Sequence, residues 1–218
     1  MQDVLDTTGY CYIASLRPGT DALEIGNSLG EISAAGSAAP VELIPREQSE
    51  ASPTSYSGLY GLNPFPFHTD LAHWRRPPRY LLLRCRVGSP HVKTHLVDGL
   101  QIAQSLDMSR LHLAHMQPRR PLKGKIPLLR LYSSSPDELV RWDDVFIQPA
   151  NETARFYCAS FRQAIQSAQC TSFALANEGD TLLIDNWRML HSRSGVPFSA
   201  RTRIIERTYL DQLNETDN

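Results

Sequence analysis

Neither Gly-x-Gly-x-x-Gly nor Gly-x-x-x-x-Gly-Lys occurs in the 218 residues of this chain. Without a glycine-rich turn whose backbone N–H groups cradle phosphates, nucleotide-dependent chemistry loses its usual support. Cysteine is scarce too. Cys11, Cys85, Cys158 and Cys170 are widely spaced, make no Cys-x-x-Cys pair and fall mainly in apolar stretches. They read as reduced core thiols, not as a disulfide framework or zinc site. No apolar run approaches the length that spans a bilayer, and Met1-Gln2-Asp3-Val4-Leu5-Asp6 carries acids where a signal peptide needs positive charge. No membrane partner and a cytoplasmic location are therefore expected. On that expectation the glycosylation patterns Asn151-Glu152-Thr153 and Asn214-Glu215-Thr216 are coincidences. Net charge is nearly absent as well, at -1, so the chain as a whole has no bias toward nucleic acid or anionic lipid.

One stretch breaks that balance. From Met108 to Pro136 there is no acid, while Arg110, Arg119, Arg120, Lys123, Lys125 and Arg130 are all cationic. Such a run can attract a phosphate-bearing substrate or nucleic acid. It lacks the aromatic stacking pattern of a single-strand binder, so the expected state is a solvated loop and nucleic acid is not an expected partner.

What the chain does have is a series of short β-patterned segments. Strands are predicted over Tyr10 to Ser15, Val41 to Ile44, Arg79 to Val87, Thr94 to Val97, Thr171 to Ala176, Thr181 to Ile184 and Thr202 to Leu210. About three helices accompany them: Thr20 to Leu29 behind a Thr20 cap, Asp98 to about Leu106, and Asn151 to Ala168. Residues 45–58 are rich in Ser, Pro and Glu and read as a mobile loop, either a candidate lid because it precedes His68 or a plain surface linker. Many strands without a strand-helix alternation predict a mainly β fold with flanking helices, a double-stranded β-helix or jelly roll. The length suits a single domain over 1–218.

His68-Thr69-Asp70 carries the chemistry. Alone it is weak, since the His and Asp content predicts roughly 0.4 such triplets by chance. The lead-in Asn63-Pro64-Phe65-Pro66-Phe67 keeps the backbone extended, because each proline pushes the preceding residue out of the helical region. In an extended segment residues i and i+2 share a side, so His68 and Asp70 can offer an imidazole and a carboxylate to one metal. Phe65 and Phe67 would then pack away from it. His191, behind the apolar strand Thr181 to Ile184, can add a third ligand from a remote strand. Two histidines and a carboxylate suit iron(II) with open positions for substrate and O2, whereas structural zinc wants four protein ligands, usually with cysteine. Arg203 can grip a carboxylate with two parallel hydrogen bonds, Thr94 can add a hydroxyl donor, and Arg207, on the same strand parity, can face an anionic substrate group.

Together these residues resemble the taurine dioxygenase and clavaminate synthase-like branch of the iron(II)/2-oxoglutarate-dependent oxygenases. The match lies in their order: His68-Thr69-Asp70, Pro77-Pro78 and a strand, Thr94-His95-Leu96-Val97-Asp98-Gly99, Asn186-Trp187-Arg188-Met189-Leu190-His191, then Arg203. It covers roughly residues 8 to 211, in a chain shorter than many relatives. The resemblance implies that His68, Asp70 and His191 hold iron(II) and that Arg203 and Thr94 receive the far carboxylate of 2-oxoglutarate. It also implies a small-molecule substrate hydroxylated with release of succinate and CO2. A carboxylate at Asp70 disfavours a halogenase, because it occupies the position a halide needs. The expected substrate is a small anionic metabolite such as an amino acid, carboxylate or sulfonate. The alternative is a noncatalytic jelly-roll module that keeps the fold for ligand binding or assembly. His73 is a weaker rival ligand, Trp74 and Trp187 are expected to pack, and His112 and His115 to share a solvated helical face.

Overall fold

The computed structural model describes residues 1–35 and 39–214. Strands predominate, and their pairings are antiparallel. The larger sheet has six strands: Tyr10–Ile13, Thr181–Asp185, Tyr80–Val87, Ile204–Leu213 and Gly30–Ile32 in spatial order, with Val41–Leu43 also paired to Ile204–Leu213. A second sheet orders Thr171–Ala174, Lys93–Asp98 and Met189–Arg193.

Alternation along each strand sorts side chains between two faces. On Tyr80–Val87, Leu81, Leu83 and Cys85 point to one side, where they pack with Leu96, Leu175, Met189 and Ile205 in the core between the sheets. Tyr80 and Leu82 point to the other side and meet Leu5 and Ile25 of the helices Gln2–Thr8 and Ala22–Leu29. The second sheet has the same division of faces. Leu96 and Met189 face the first sheet, while Val97 and Leu190 join a core built with the helix Glu152–Ser167, whose Tyr157, Cys158 and Phe161 are buried.

Helix ends follow side-chain chemistry. The Asn151 side chain accepts from the Ala154 N–H, and Asp98 caps Gly99–Ser105 by accepting from Gln101 N–H. The cap of Ala22–Leu29 is Asp21, not Thr20. The Thr20 carbonyl is instead taken by Arg84, which is fully buried and also donates to the Leu16, Arg17 and Gly179 carbonyls and the Thr181 hydroxyl. Asn214 is described, but Glu215 and Thr216 of the second glycosylation pattern lie outside the described residues.

The largest departure from expectation is the basic stretch. It holds a helix, Met108–Leu111, and the strands His115–Pro118, Leu129–Arg130 and Tyr132–Ser133. Leu111, Met116, Leu129, Leu131 and Tyr132 are buried beneath it, so apolar residues spaced among the cations decide its fold. His112 and His115 do not share a helical face, since His112 ends the helix and His115 lies in a strand. The helix Gln2–Thr8 was also not foreseen. Among the described residues no helix is long and apolar enough to cross a membrane.

Candidate metal centre and anion pocket

The segment before His68 adds itself to the second sheet. Phe65 N–H donates to the Arg193 carbonyl, and His68 and His191 exchange both backbone hydrogen bonds at 2.9 Å. Residues paired this way project side chains to the same face, which brings the two imidazole rings to a centroid distance of 4.3 Å. Two residues on, Asp70 returns to that face. Its Oδ1 lies 3.3 Å from His68 Nε2 and 3.5 Å from His191 Nε2. Leu71 then takes a φ of 54°, which ends the extended run just after the carboxylate.

Two neighbours orient these groups. His68 Nδ1 hydrogen-bonds the Pro66 carbonyl at 2.9 Å, which fixes the ring so that the Nε2 lone pair faces inward. Asn186, fully buried, clamps the backbone of Asp70. Its side-chain oxygen accepts from Asp70 N–H at 2.7 Å, and its amide donates to the Asp70 and Pro78 carbonyls, both at 3.0 Å. Asn186→Ala leaves that N–H and two carbonyls without partners, so we expect about 2–4 kcal/mol of lost stability. We also expect about tenfold weaker metal affinity. Denaturant unfolding and metal titration of the variant check both, and unchanged values would show that the clamp is dispensable.

The donor set passes a simple test of fit to a divalent metal. One ligand atom from each of His68, Asp70 and His191 lies within 4.8 Å of the others, and all three residues are buried. Electrostatics agrees. Burial works against ionising Asp70, but Arg207 and the two imidazoles outweigh it and hold the carboxyl well below its ordinary range. Burial and the neighbouring His68 lower the His191 pKa, favouring the neutral ring that a metal needs. Burial also opposes a charge on His68, yet the hydrogen bond and charge of Asp70 raise its pKa overall.

The second oxygen of Asp70 is held from the larger sheet. Tyr209 Oη donates to Oδ2 at 2.7 Å and Arg207 Nη1 at 3.2 Å. Arg203, just ahead of the strand Ile204–Leu213, and Ile205, Arg207 and Tyr209 on it line one cavity with His68, Asp70, His191 and Thr94. Its volume is about 860 Å³, enough for more than one small ligand. Arg203 is 6% exposed, its Nε has no hydrogen-bond partner, and it forms no ion pair among the described residues. Burial lowers its pKa to about 10. Arg193, on the opposing sheet, is occupied: it donates to the Gly61, Asn63 and Ser194 carbonyls and covers the Phe65 ring.

All six sequence-predicted site residues thus meet in one place. Arg207, expected toward a substrate anion, here also grips Asp70. Phe65, expected to pack away from the centre, lines the cavity; Phe67 does turn to the core. His73 lies on the cavity wall with a buried, unpartnered Nδ1, but outside the ligand triad. Trp187 is a packing residue, as expected, and donates to the Pro77 carbonyl. Residues 45–58 contain the short helix Gln48–Glu50 and the start of Tyr56–Tyr60, and they roof the cavity. Sequence reasoning gave no site role to Tyr209 or Asn186, nor to Tyr56 and Asp143, which also line the cavity. Tyr209 had a signal in its two-residue spacing from Arg207, and Asn186 in the segment that leads to His191.

No protein-family model matches the chain. Among solved structures it is similar to PvcB from Pseudomonas aeruginosa, with a TM-score of 0.64 and 16% identity over 99% of this chain and 83% of that one. PvcB is described as an Fe, alpha-ketoglutarate dependent oxygenase from an isonitrile synthetic pathway. It is also similar to asparagine oxygenase in complex with Fe(II), 2S,3S-3-hydroxyasparagine and succinate, with a TM-score of 0.60 and 17% identity over 78% of this chain and 55% of that one. The non-heme iron oxygenase OrfP in complex with Fe, succinate and (3S)-hydroxy-L-Arg gives 0.57 and 19%, over 79% and 56%. The chain therefore spans little more than half the length of the latter two. At such identities the likeness establishes the fold.

Proposed function

We propose that this chain is an iron(II)/2-oxoglutarate-dependent dioxygenase that hydroxylates a small anionic metabolite: an amino acid, a carboxylate or a sulfonate. In this reading residues 1–218 form one oxygenase domain, its two sheets are a double-stranded β-helix or jelly roll, and 45–58 is a mobile loop over the site. The observation that carries the reading is Arg203. A buried guanidinium without an acceptor is costly unless an anion arrives, and this one opens into the cavity that holds two histidines and a carboxylate. The solved structures named above, two of them with Fe and succinate bound, have the same fold.

His68, Asp70 and His191 would hold the iron(II), which supplies O2 activation coupled to decarboxylation of 2-oxoglutarate. The overall stoichiometry balances: substrate C–H, 2-oxoglutarate and O2 give substrate C–OH, succinate and CO2. Arg203 and Thr94 receive the distal carboxylate of 2-oxoglutarate, the guanidinium through two parallel N–H donors. Arg207 bridges Asp70 and an anionic group of the substrate, and its unpartnered Nε leaves it a donor to spare. Tyr209 holds the outer oxygen of Asp70 so that Oδ1 stays turned toward the imidazoles. The apolar side chains Leu81, Leu83 and Ile205 line the cavity and exclude water. The free thiols of all four cysteines suit a cytoplasmic setting.

Anaerobically purified protein supplied with iron(II), 2-oxoglutarate and O2 is expected to release succinate, faster with a true substrate from a panel of amino acids, carboxylates and sulfonates. No succinate across the panel, together with no affinity for iron, would sink the proposal.

A further inference from the structure

One buried acid in the cavity forms no ion pair among the described residues. Asp143 is 3% exposed and lies on the chain between the strands Leu139–Val140 and Ile147–Pro149. Its Oδ1 accepts from the N–H groups of Val145 and Phe146 at 2.7 and 2.8 Å. That local turn accounts for one oxygen. The Tyr56 hydroxyl is the side-chain partner of the carboxylate, and His68 is the nearby group that can carry positive charge. Arg119, on the same cavity wall, is directed elsewhere, donating to Gln148 and the Asp144 carbonyl. Burial raises the Asp143 pKa, outweighing the opposite pull of His68, the two backbone N–H groups and the Tyr56 hydroxyl.

Its surroundings suit a positively charged nitrogen. The Tyr56 hydroxyl stands beside the Asp143 carboxylate and interacts with it. The Tyr56 ring stacks on His68 at 4.3 Å and meets Phe146 edge-on at 5.3 Å. One stretch of wall thus offers a carboxylate oxygen, a hydroxyl oxygen and aromatic rings, the groups that bind an ammonium ion by hydrogen bonds and cation–π attraction. All of them line the cavity that also contains Arg203 and Arg207. The two signs of charge come from different elements, so a dianion and an ammonium group have different partners.

Building on the dioxygenase reading above, we propose that Asp143, assisted by the Tyr56 hydroxyl, anchors the ammonium group of the substrate. The substrate class narrows accordingly, from small anions in general to zwitterions with a free primary amine. Plain carboxylates and sulfonates lack the group that Asp143 requires.

Binding without turnover tests this. Iron(II)- and 2-oxoglutarate-loaded protein, kept free of oxygen, is titrated calorimetrically with the twenty amino acids and their N-acetyl forms. At least one free amino acid is expected to bind, with its N-acetyl form about tenfold weaker or worse. Asp143→Asn should cost the free amino acid about 10- to 100-fold in affinity and abolish that discrimination. It should leave 2-oxoglutarate affinity and the melting temperature unchanged, because the amide oxygen can still accept from Val145 and Phe146. Tyr56→Phe, which keeps the ring on His68, should show a smaller loss of the same kind. Failure of every free amino acid to bind the wild type, or equal binding of the N-acetyl forms, would overturn the proposal; neither needs a variant to fold. The 2-oxoglutarate titration of the wild type is read separately. If it fails while discrimination by Asp143 persists, the dioxygenase reading falls and the ammonium site stands.

Discussion

Asp70→Ala is expected to leave the protein unable to retain iron(II) and, independently, to destabilise the metal-free fold. The first effect removes the one anionic ligand of the triad. The second follows from what surrounds the carboxylate before any metal arrives. Oδ2 accepts from Tyr209 and Arg207, and Oδ1 stands near both imidazoles. Truncation leaves the Tyr209 hydroxyl and the Arg207 guanidinium without their acceptor. Removing one partner of a buried pair costs roughly 3–5 kcal/mol. The Arg207 side chain keeps 28% exposure, so rehydration should hold the loss near the lower end, about 3 kcal/mol. The pH dependence has a definite sign. A carboxylate whose folded pKa is depressed adds stability above its unfolded pKa, and loses it as pH falls through the folded value. Metal-free wild type should therefore lose this increment only in strong acid, and Asp70→Ala should lack it at every pH. Denaturant midpoints across pH and iron content after reconstitution measure the two effects. A variant that holds one iron per chain would remove Asp70 from the ligand set.

Arg203→Met is expected to abolish 2-oxoglutarate binding while stabilising the unliganded protein. These opposite signs are the mark of a residue kept for a ligand. The wild-type guanidinium is buried with no ion pair among the described residues, and burial has lowered its pKa to about 10. A base whose folded pKa lies below its unfolded one opposes folding. That penalty is full at neutral pH and relieved only as pH climbs above about 10. A methionine of similar reach removes it, for a gain of about 1–3 kcal/mol without ligand. The co-substrate loses a charge-assisted, two-pronged contact, which corresponds to a drop in affinity of about 100-fold or more. Iron binding should be unchanged, since Arg203 touches none of the three ligand residues. Thermal melts with and without 2-oxoglutarate read both effects. A destabilised variant with normal 2-oxoglutarate affinity would show that Arg203 is a structural residue.

Much of the site was legible in sequence because its residues sit on strands, where direction follows from parity. His68 and Asp70 share a face because Pro64 and Pro66 keep the chain extended. Ile205, Arg207 and Tyr209 share one by strand parity, and Arg203 joins them from just before a bulge between Ile204 and Ile205. The basic stretch was misread because its charges dominate composition while its folding is decided by Leu111, Met116, Leu129 and Leu131, whose burial depends on a distant helix. Asp143 gave no local signal, and Asn186 only its place in the segment that leads to His191. An acid before Val145 and Phe146 looks like an ordinary turn, and an asparagine after a strand looks like a strand end. Their roles depend on what the fold sets against them.

By itself, then, the sequence determined the period-two faces, the identity of the donor groups and the order in which they arrive. Those follow from covalent geometry and side-chain chemistry, which act over a few residues. Tertiary structure decided the rest, because only packing joins groups far apart in the chain. The bridge between His68 and His191 makes one metal face from two segments. The larger sheet hands Arg207 and Tyr209 to the back of Asp70. Closing the cavity turns Arg203 and Asp143 from ordinary surface charges into two desolvated ones of opposite sign.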